Sequence, residues 1–358
     1  MRKRLTTLLE GALRDGVADR VFPGAQAAVW ARGGLLAGAT AGVTRPDAGE
    51  PVETDTRFDL ASLTKPFVAS AVLRMVDRCL VDLELRVCEA LREFGCRSTG
   101  RATLAELLAH ESGLPAWKPL YQRIDPDLRG TEEGRRVSLE MIAKIETDRA
   151  PGSSLEYSDL GYVLLGEIAA RLAGCELPEL LKREVLEPLD LTTIGFRPAR
   201  PTKRGEVILA ATEDCPWRGR LLEGEVHDDN AWAMNGAAGH AGLFGTAEDV
   251  ARFGGAWLSA LADGAWLSRD LSRNAVKRRP LGRALWGDLV SPKGSMAGSE
   301  AGPRTFGHLG FTGCSLWVDP DREAAIALAT NRVCPSRDNT LIRGFRPEFQ
   351  DEIWKALD

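Results

Sequence analysis

The stretch Phe58-Asp59-Leu60-Ala61-Ser62-Leu63-Thr64-Lys65 joins two kinds of pattern. Phe58 to Ala61 is a short apolar run of the strand type. From Lys65 to Arg78, Val68, Val72, Met75 and Val76 recur at helical spacing, and Pro66 is tolerated because it falls in the first turn. Ser62 therefore stands where a strand meets a helix, at a junction between layers. Towards the start of the chain, Leu5, Leu8, Leu9, Ala12, Leu13 and Val17 mark an amphipathic surface helix rather than a secretory apolar core. Ala25 to Trp30 and Leu35 to Thr40 flank Gly33-Gly34 and read as a β-hairpin.

Past the helix after Ser62 the pattern stays mostly helical. Leu104 to Ala109, Tyr162 to Leu172 and Pro178 to Val185 are predicted helices, and 197–205 is a polar connector with two prolines. The loops Trp117 to Val137 and Pro201 to Asp229 carry no readable period and are expected to shape a pocket. A Gly-rich run over 236–245 leads into a helix at Ala247 to Leu261. Four strand-like runs follow: Ala284 to Leu289, Thr305 to His308, Ser315 to Val318 and Ala324 to Ala329. Pro320-Asp321-Arg322 turns between the last two, and a helix over Glu348 to Leu357 follows them. Strands at both ends around a helical middle give an α+β fold. An antiparallel sheet from 1–60 and 241–358, flanked by helices, would carry an inserted, mostly helical domain over 61–240, with the active site at their interface.

Composition narrows the function. A length of 358 residues suggests about two domains. With 44% hydrophobic and 27% charged residues, a disordered chain, a collagen-like repeat and a small disulfide scaffold are excluded. Lys plus Arg number 46 against 51 Asp plus Glu, so the chain lacks the positive field that nucleic-acid binding needs. No run approaches the roughly 20 apolar residues of a membrane helix. The seven cysteines include no C-x-x-C pair, which reads as reduced thiols in a cytoplasmic protein and no metal site. Walker A, Rossmann and G-x-S-x-G patterns are absent, so no cofactor is expected and the α/β-hydrolase route is unsupported. His110-Glu111 lacks the second histidine of a zinc protease, and His227-Asp228-Asp229 reads as a capping or loop-bracing group.

Three places carry the chemistry. Ser62 and Lys65 lie three apart, so on a helix they share a face. A serine hydroxyl is a poor nucleophile until a base takes its proton, and a desolvated lysine, or a phenolate held low by that lysine, can serve. The same residues also describe a capping serine and a solvated lysine. Tyr157-Ser158-Asp159 stands before the next helix, offering a phenol for a proton relay and a carboxylate to orient a cation. His308-Leu309-Gly310-Phe311-Thr312-Gly313 ends a strand run, where small residues admit a ligand and free amides could serve an oxyanion.

Together, Ser62-Leu-Thr-Lys65, Tyr157-Ser-Asp159 and His308-Leu-Gly310 resemble the ordered motifs of the penicillin-recognising serine hydrolases, in the branch with class C β-lactamases, DD-peptidases and related esterases. Val226-His-Asp-Asp-Asn230 and Gly239-His-Ala-Gly-Leu-Phe244 are similar to the segment before the helix that returns to the sheet. The resemblance runs from the first helix to the last. It implies that Ser62 is acylated, that Lys65 and Tyr157 share the proton work, and that the amides of Ser62 and Phe311 hold the oxyanion. It also puts Asp159, His308, Leu309 and Gly310 at the substrate, with His308 on the sheet edge.

Two departures bear on the substrate. Asp159 replaces a common Asn and favours a charged Lys65, which argues for Tyr157 as proton acceptor. His308 replaces the lysine that gives β-lactamases a fixed positive charge, so neutral substrates gain, and carboxylate substrates are expected to bind better below pH ~6.5, where His308 gains charge. The leading expectation is an esterase-like serine hydrolase acting on a small ester or amide, with a small-molecule substrate as partner, no nucleic acid and no membrane, and the oligomeric state left open. A β-lactamase or D-amino-acid-specific peptidase is the alternative on the same fold, and a non-catalytic binding protein the alternative of another class.

Overall fold

The computed structural model describes residues 1–47, 49–95, 98–197, 207–291 and 293–358. The chain opens with helix α1 (Arg2–Ala18) and the hairpin β1 (Gly24–Ala31) and β2 (Gly34–Gly42). Ala31 pairs with Gly34, so the two-residue turn is Arg32-Gly33, one position before the predicted pair. Both turn residues take positive φ, 57° and 76°, the geometry that matches the twist of a tight hairpin. Strand β3 (Phe58–Asp59) leads to α2 (Thr64–Asp77). The middle contains α3 (Val87–Ala90), α4 (Leu104–Leu108), α5 (Glu132–Ala143), α6 (Asp159–Ala173), α7 (Leu177–Leu181), β4 (Gly195–Phe196), β5 (Ala211–Cys215), β6 (Arg220–Glu223) and α8 (Asp229–Ala233). Then come β7 (Leu243–Gly245), α9 (Ala247–Ala262), α10 (Arg269–Ala275), β8 (Asp288–Leu289), β9 (Phe306–Leu309), β10 (Ser315–Asp319), β11 (Ala324–Thr330) and α11 (Ile342–Leu357).

The main sheet has six strands in the order β2-β1-β11-β10-β9-β8, every pair antiparallel. Its centre joins the two strand-rich regions, with Ala25 opposite Thr330 and Ala31 opposite Ala324. The period of two along β11 splits its side chains between two cores. Ala325, Ala327 and Ala329 pack with α9 residues such as Phe253 and Trp257. Ala324, Ile326 and Leu328 pack with Leu5, Leu9 and Leu13 of α1 and with Phe349, Ile353 and Trp354 of α11. Because helices cover both faces, β11 is buried along its whole length and its sequence shows no polar alternation.

Several elements differ from the sequence expectations. Of the predicted strand Ala284 to Leu289, only Asp288 and Leu289 pair; Leu285 and Trp286 are buried beneath α9 instead. The helix predicted over Pro178 to Val185 is α7 followed by a π-turn at Lys182–Leu186. The last helix begins at Ile342, six residues before the expected start, and runs through Pro347. Both unreadable loops contain regular structure: α5 lies partly within the first, and β5 with β6 forms a hairpin within the second. The connector at 197–205 falls, past Arg197, outside the described residues. No helix among the described residues is long and apolar enough to cross a membrane.

A second, three-stranded sheet, β3-β7-β4, sets up the site. Asp59 pairs with Phe244, and the Leu60 amide donates to the Leu243 carbonyl at 2.9 Å. Ser62, just after β3, is thereby brought beside His240, just before β7.

Candidate active site

Ser62 occupies the 3-10 turn Ala61–Leu63 that feeds α2. Asp59 forms this turn: its Oδ1 accepts the Ala61 amide at 2.8 Å, and Ala61 is held at φ 48°, uncommon for a residue with a side chain. The half-buried Ser62 thus meets the N-terminal end of α2, where unpaired amides favour negative charge. Asp59 also ties in two other segments. Its Oδ2 accepts the His227 amide at 2.7 Å, and its carbonyl accepts the Thr312 hydroxyl at 2.6 Å.

Lys65 is wholly buried. Its Nζ donates to Ser62 Oγ at 2.9 Å and to the His240 carbonyl at 3.1 Å, and lies 2.7 Å from Asp159 Oδ1. Burial pulls the ammonium pKa down, but Asp159, with Tyr157 behind it, outweighs burial and holds it above the usual lysine value. Lys65 is therefore an ammonium around neutral pH.

Tyr157 is placed by the cap of α6. Ser158 Oγ accepts the Gly161 amide at 3.1 Å and donates to the Pro115 carbonyl at 2.8 Å. The Tyr157 ring centre lies 5.0 Å from Lys65 Nζ, and its hydroxyl interacts with both Lys65 and Ser62. Burial raises the phenol pKa, and Lys65 opposes that rise. Beneath the ring, His110 stacks at 4.5 Å between centroids, and its Nδ1 accepts the Ser158 amide at 2.9 Å. Burial first, then Arg283 and Lys65, keep the His110 pKa well below the ordinary histidine value, so it is a neutral support.

The third segment comes from the main sheet. Gly310 packs against the residue two before Ser62: a Cβ there would lie 2.5 Å from the Leu60 carbonyl oxygen. Phe311 follows, and its amide has no hydrogen-bond partner among the described residues. Two buried arginines fix this turn. Arg346 of α11 donates to the carbonyls of Gly310 at 2.7 Å, Cys314 at 2.7 Å and Gly313 at 3.1 Å. Arg332 Nε donates to the Phe311 carbonyl at 2.9 Å. Burial pulls the Arg346 pKa down to about 10, which leaves it charged at neutral pH.

Ser62, Lys65, Tyr157 and Asp159 meet in one place, with the turn of Gly310 and Phe311 packed beside them. His308 departs from expectation in two ways. It lies on β9, which β8 covers, so its strand is not the sheet edge. It is also buried, and burial, opposed by Asp288 and aided by Arg283, pulls its pKa to about 4 rather than the expected ~6.5. Its Nδ1 donates to the half-buried Leu309's carbonyl at 2.8 Å, and its Nε2 is buried without a partner.

Several supporting residues here carry no catalytic role in the sequence motifs. His240 holds Lys65 through its carbonyl and is itself pinned by Asp228, 2.8 Å from its Nε2. Asp228 also caps α8 by accepting the Ala231 amide at 2.7 Å, the bracing role expected for that cluster. His110 has no motif partner in the sequence beyond Glu111, and its place just after the α4 segment is the signal that points to it. Arg346 and Arg283 sit in segments with no local motif.

The Beta-lactamase family profile matches residues 9–346. An N-acetylmuramyl-L-alanine amidase of Bacillus subtilis (strain 168) is 30% identical over 344 residues, 87% of this chain and 77% of that protein. A putative D-alanyl-D-alanine carboxypeptidase of Salmonella agona (strain SL483) is 30% identical over 306 residues, 78% and 70% respectively. Among solved structures, EstCE1, a hydrolase with promiscuous acyltransferase activity, superposes with a TM-score of 0.79 at 19% identity, covering 99% of both chains. The octameric penicillin-binding protein homologue from Pyrococcus abyssi gives 0.68 at 20% identity, covering 90% of this chain and 72% of its own. At that identity the last two share the fold. The chain belongs to the beta-lactamase family. Within it, this protein is a serine hydrolase with the fold of the penicillin-binding proteins.

Proposed function

We propose that Ser62 forms an acyl-enzyme with a small ester or amide, at the crevice where the sheet unit (1–60 and 241–358) meets the helical one (61–240). The observation that carries this is the Lys65 ammonium, 2.9 Å from Ser62 Oγ and 2.7 Å from Asp159, with the Tyr157 phenol beside it. Because Lys65 keeps its proton, Tyr157 in its phenolate form takes the proton of Ser62 while Oγ bonds the carbonyl carbon. The oxyanion is received by the amides of Ser62 and Phe311. The C–O or C–N bond then breaks, and Tyr157 returns the proton to the leaving atom. Water attacks the acyl-enzyme by the reverse path.

A fluorophosphonate should add to Ser62, as read by intact mass and peptide mapping, and Ser62→Ala should take no label and lose turnover of a p-nitrophenyl ester. Labelling elsewhere, or an unaltered rate in Ser62→Ala, rejects the reading. An amide substrate is the second reading, supported by two relatives named as an amidase and a carboxypeptidase. Assaying N-acetylmuramyl-L-alanine and a D-alanyl-D-alanine peptide beside the ester panel and nitrocefin separates these. The neutral His308 weighs against β-lactams that rely on a fixed cation at that strand position.

A further inference from the structure

Arg283 lies between α10 and β8, outside every motif. Its guanidinium centre is 5.1 Å from the centroid of the Tyr157 ring, the same separation as Lys65 Nζ at 5.0 Å. The side chain is only 14% exposed, and it is ion-paired with Asp288 at the start of β8. Its Nε is buried and makes no hydrogen bond. The groups facing Tyr157 are Ser62 and Lys65 from the α2 end, Asp159 and Tyr162 from α6, His110 from the segment after α4, His308 from β9, and the Arg283–Asp288 pair. Both imidazoles are neutral at neutral pH, so among the described residues the permanent cations at this phenol are Lys65 and Arg283.

We propose that Arg283 is a positioning residue for the Tyr157 proton transfer, a second cation at the phenol ring that favours the phenolate able to receive the Ser62 proton. A positive charge over an aromatic face is attracted by its electron density, and a phenolate is richer in that density than a phenol. This rests on the acyl-enzyme reading above, in which the Ser62 proton passes to Tyr157 and then to the leaving atom.

The test is the pH dependence of Tyr157 itself. Tyrosinate absorbance is titrated in the wild-type chain and in Arg283→Gln, each corrected with its Tyr157→Phe counterpart, alongside the rising limb of kcat/KM. Arg283→Gln should move both midpoints up by roughly one pH unit, which below the limb is about a tenfold loss of rate. Arg283→Lys should recover most of the shift. Arg283→Gln with Asp288→Asn removes the carboxylate left unpaired, and the midpoints should stay raised. An unmoved Tyr157 midpoint in Arg283→Gln, or full recovery in the double variant, overturns the proposal. The two readings fail separately: an unlabelled Ser62 sinks the acyl-enzyme, whereas a labelled chain with an unmoved Tyr157 titration sinks only the role of Arg283.

Discussion

Asp159 sets its carboxylate 2.7 Å from the Lys65 ammonium, nearer than the Ser62 hydroxyl at 2.9 Å. A carboxylate so placed stabilises the charged amine and disfavours a phenolate nearby. With burial as the larger cause at the phenol, both members of the Lys65–Tyr157 pair lose their proton late, and kcat/KM should climb as pH rises through the neutral range. Asp159→Asn removes the charge that raises both groups, so the limb should move to lower pH by roughly one unit. A pH–rate profile decides it, and a limb that stays put or moves to higher pH counts against the assignment.

His308 is neutral over the working range because its pKa is pulled to about 4. The KM for a carboxylate-bearing substrate should then be flat between about pH 5 and 8, where an ordinary histidine near 6.5 would titrate. Imidazole NMR resonances, assigned with His308→Gln, report the midpoint directly. A midpoint close to 6.5 would overturn this picture.

Gly310 leaves no room for a side chain, since a Cβ would meet the Leu60 carbonyl oxygen at 2.5 Å. Gly310→Ala must push the Phe311 turn away from the segment that carries Ser62. The expected result is a stability loss of about 1–3 kcal/mol and a fall in acylation rate of roughly tenfold or more. Denaturant melts and fluorophosphonate labelling rates measure the two effects, and a labelling rate equal to wild type would show that the turn does not serve the oxyanion.

Arg346→Met keeps the bulk of the side chain and removes the donors that serve the Gly310, Gly313 and Cys314 carbonyls. Losing buried, charge-assisted bonds to three acceptors should cost about 2–4 kcal/mol. The kcat should fall more than the KM rises, because the Phe311 amide is set by this turn. Equal loss in both constants would point to general damage instead.

Elements with a clear local signal were legible in sequence: α2 and α6 by their helical apolar spacing, and the β1–β2 hairpin and β10–β11 pair as short apolar runs about turn residues. The three short motifs pointed to Ser62, Lys65, Tyr157 and Asp159, which do converge. What escaped was set by tertiary contacts. Trp286 was read into a strand but is enclosed by Phe253, Trp257 and Phe306, with ring centres 5.9, 5.1 and 5.1 Å away. Arg283 and Arg346 act at a distance in sequence, through a cation over a ring and through donors to carbonyls, and neither leaves a spacing to detect. His308 was assigned an ordinary titration because burial, which decides it, has no signature in one strand.

The pairing of β1 with β11 has a consequence for synthesis. Ala25 must wait for Thr330 to leave the ribosome before the sheet can zip. Until then the nascent hairpin carries an open strand edge, and such long-range closure makes folding slow and exposes the edge to mispairing. Phe311 and Arg346 are translated late as well, so the Gly310–Phe311 turn can pack beside Ser62 only after most of the chain has been made.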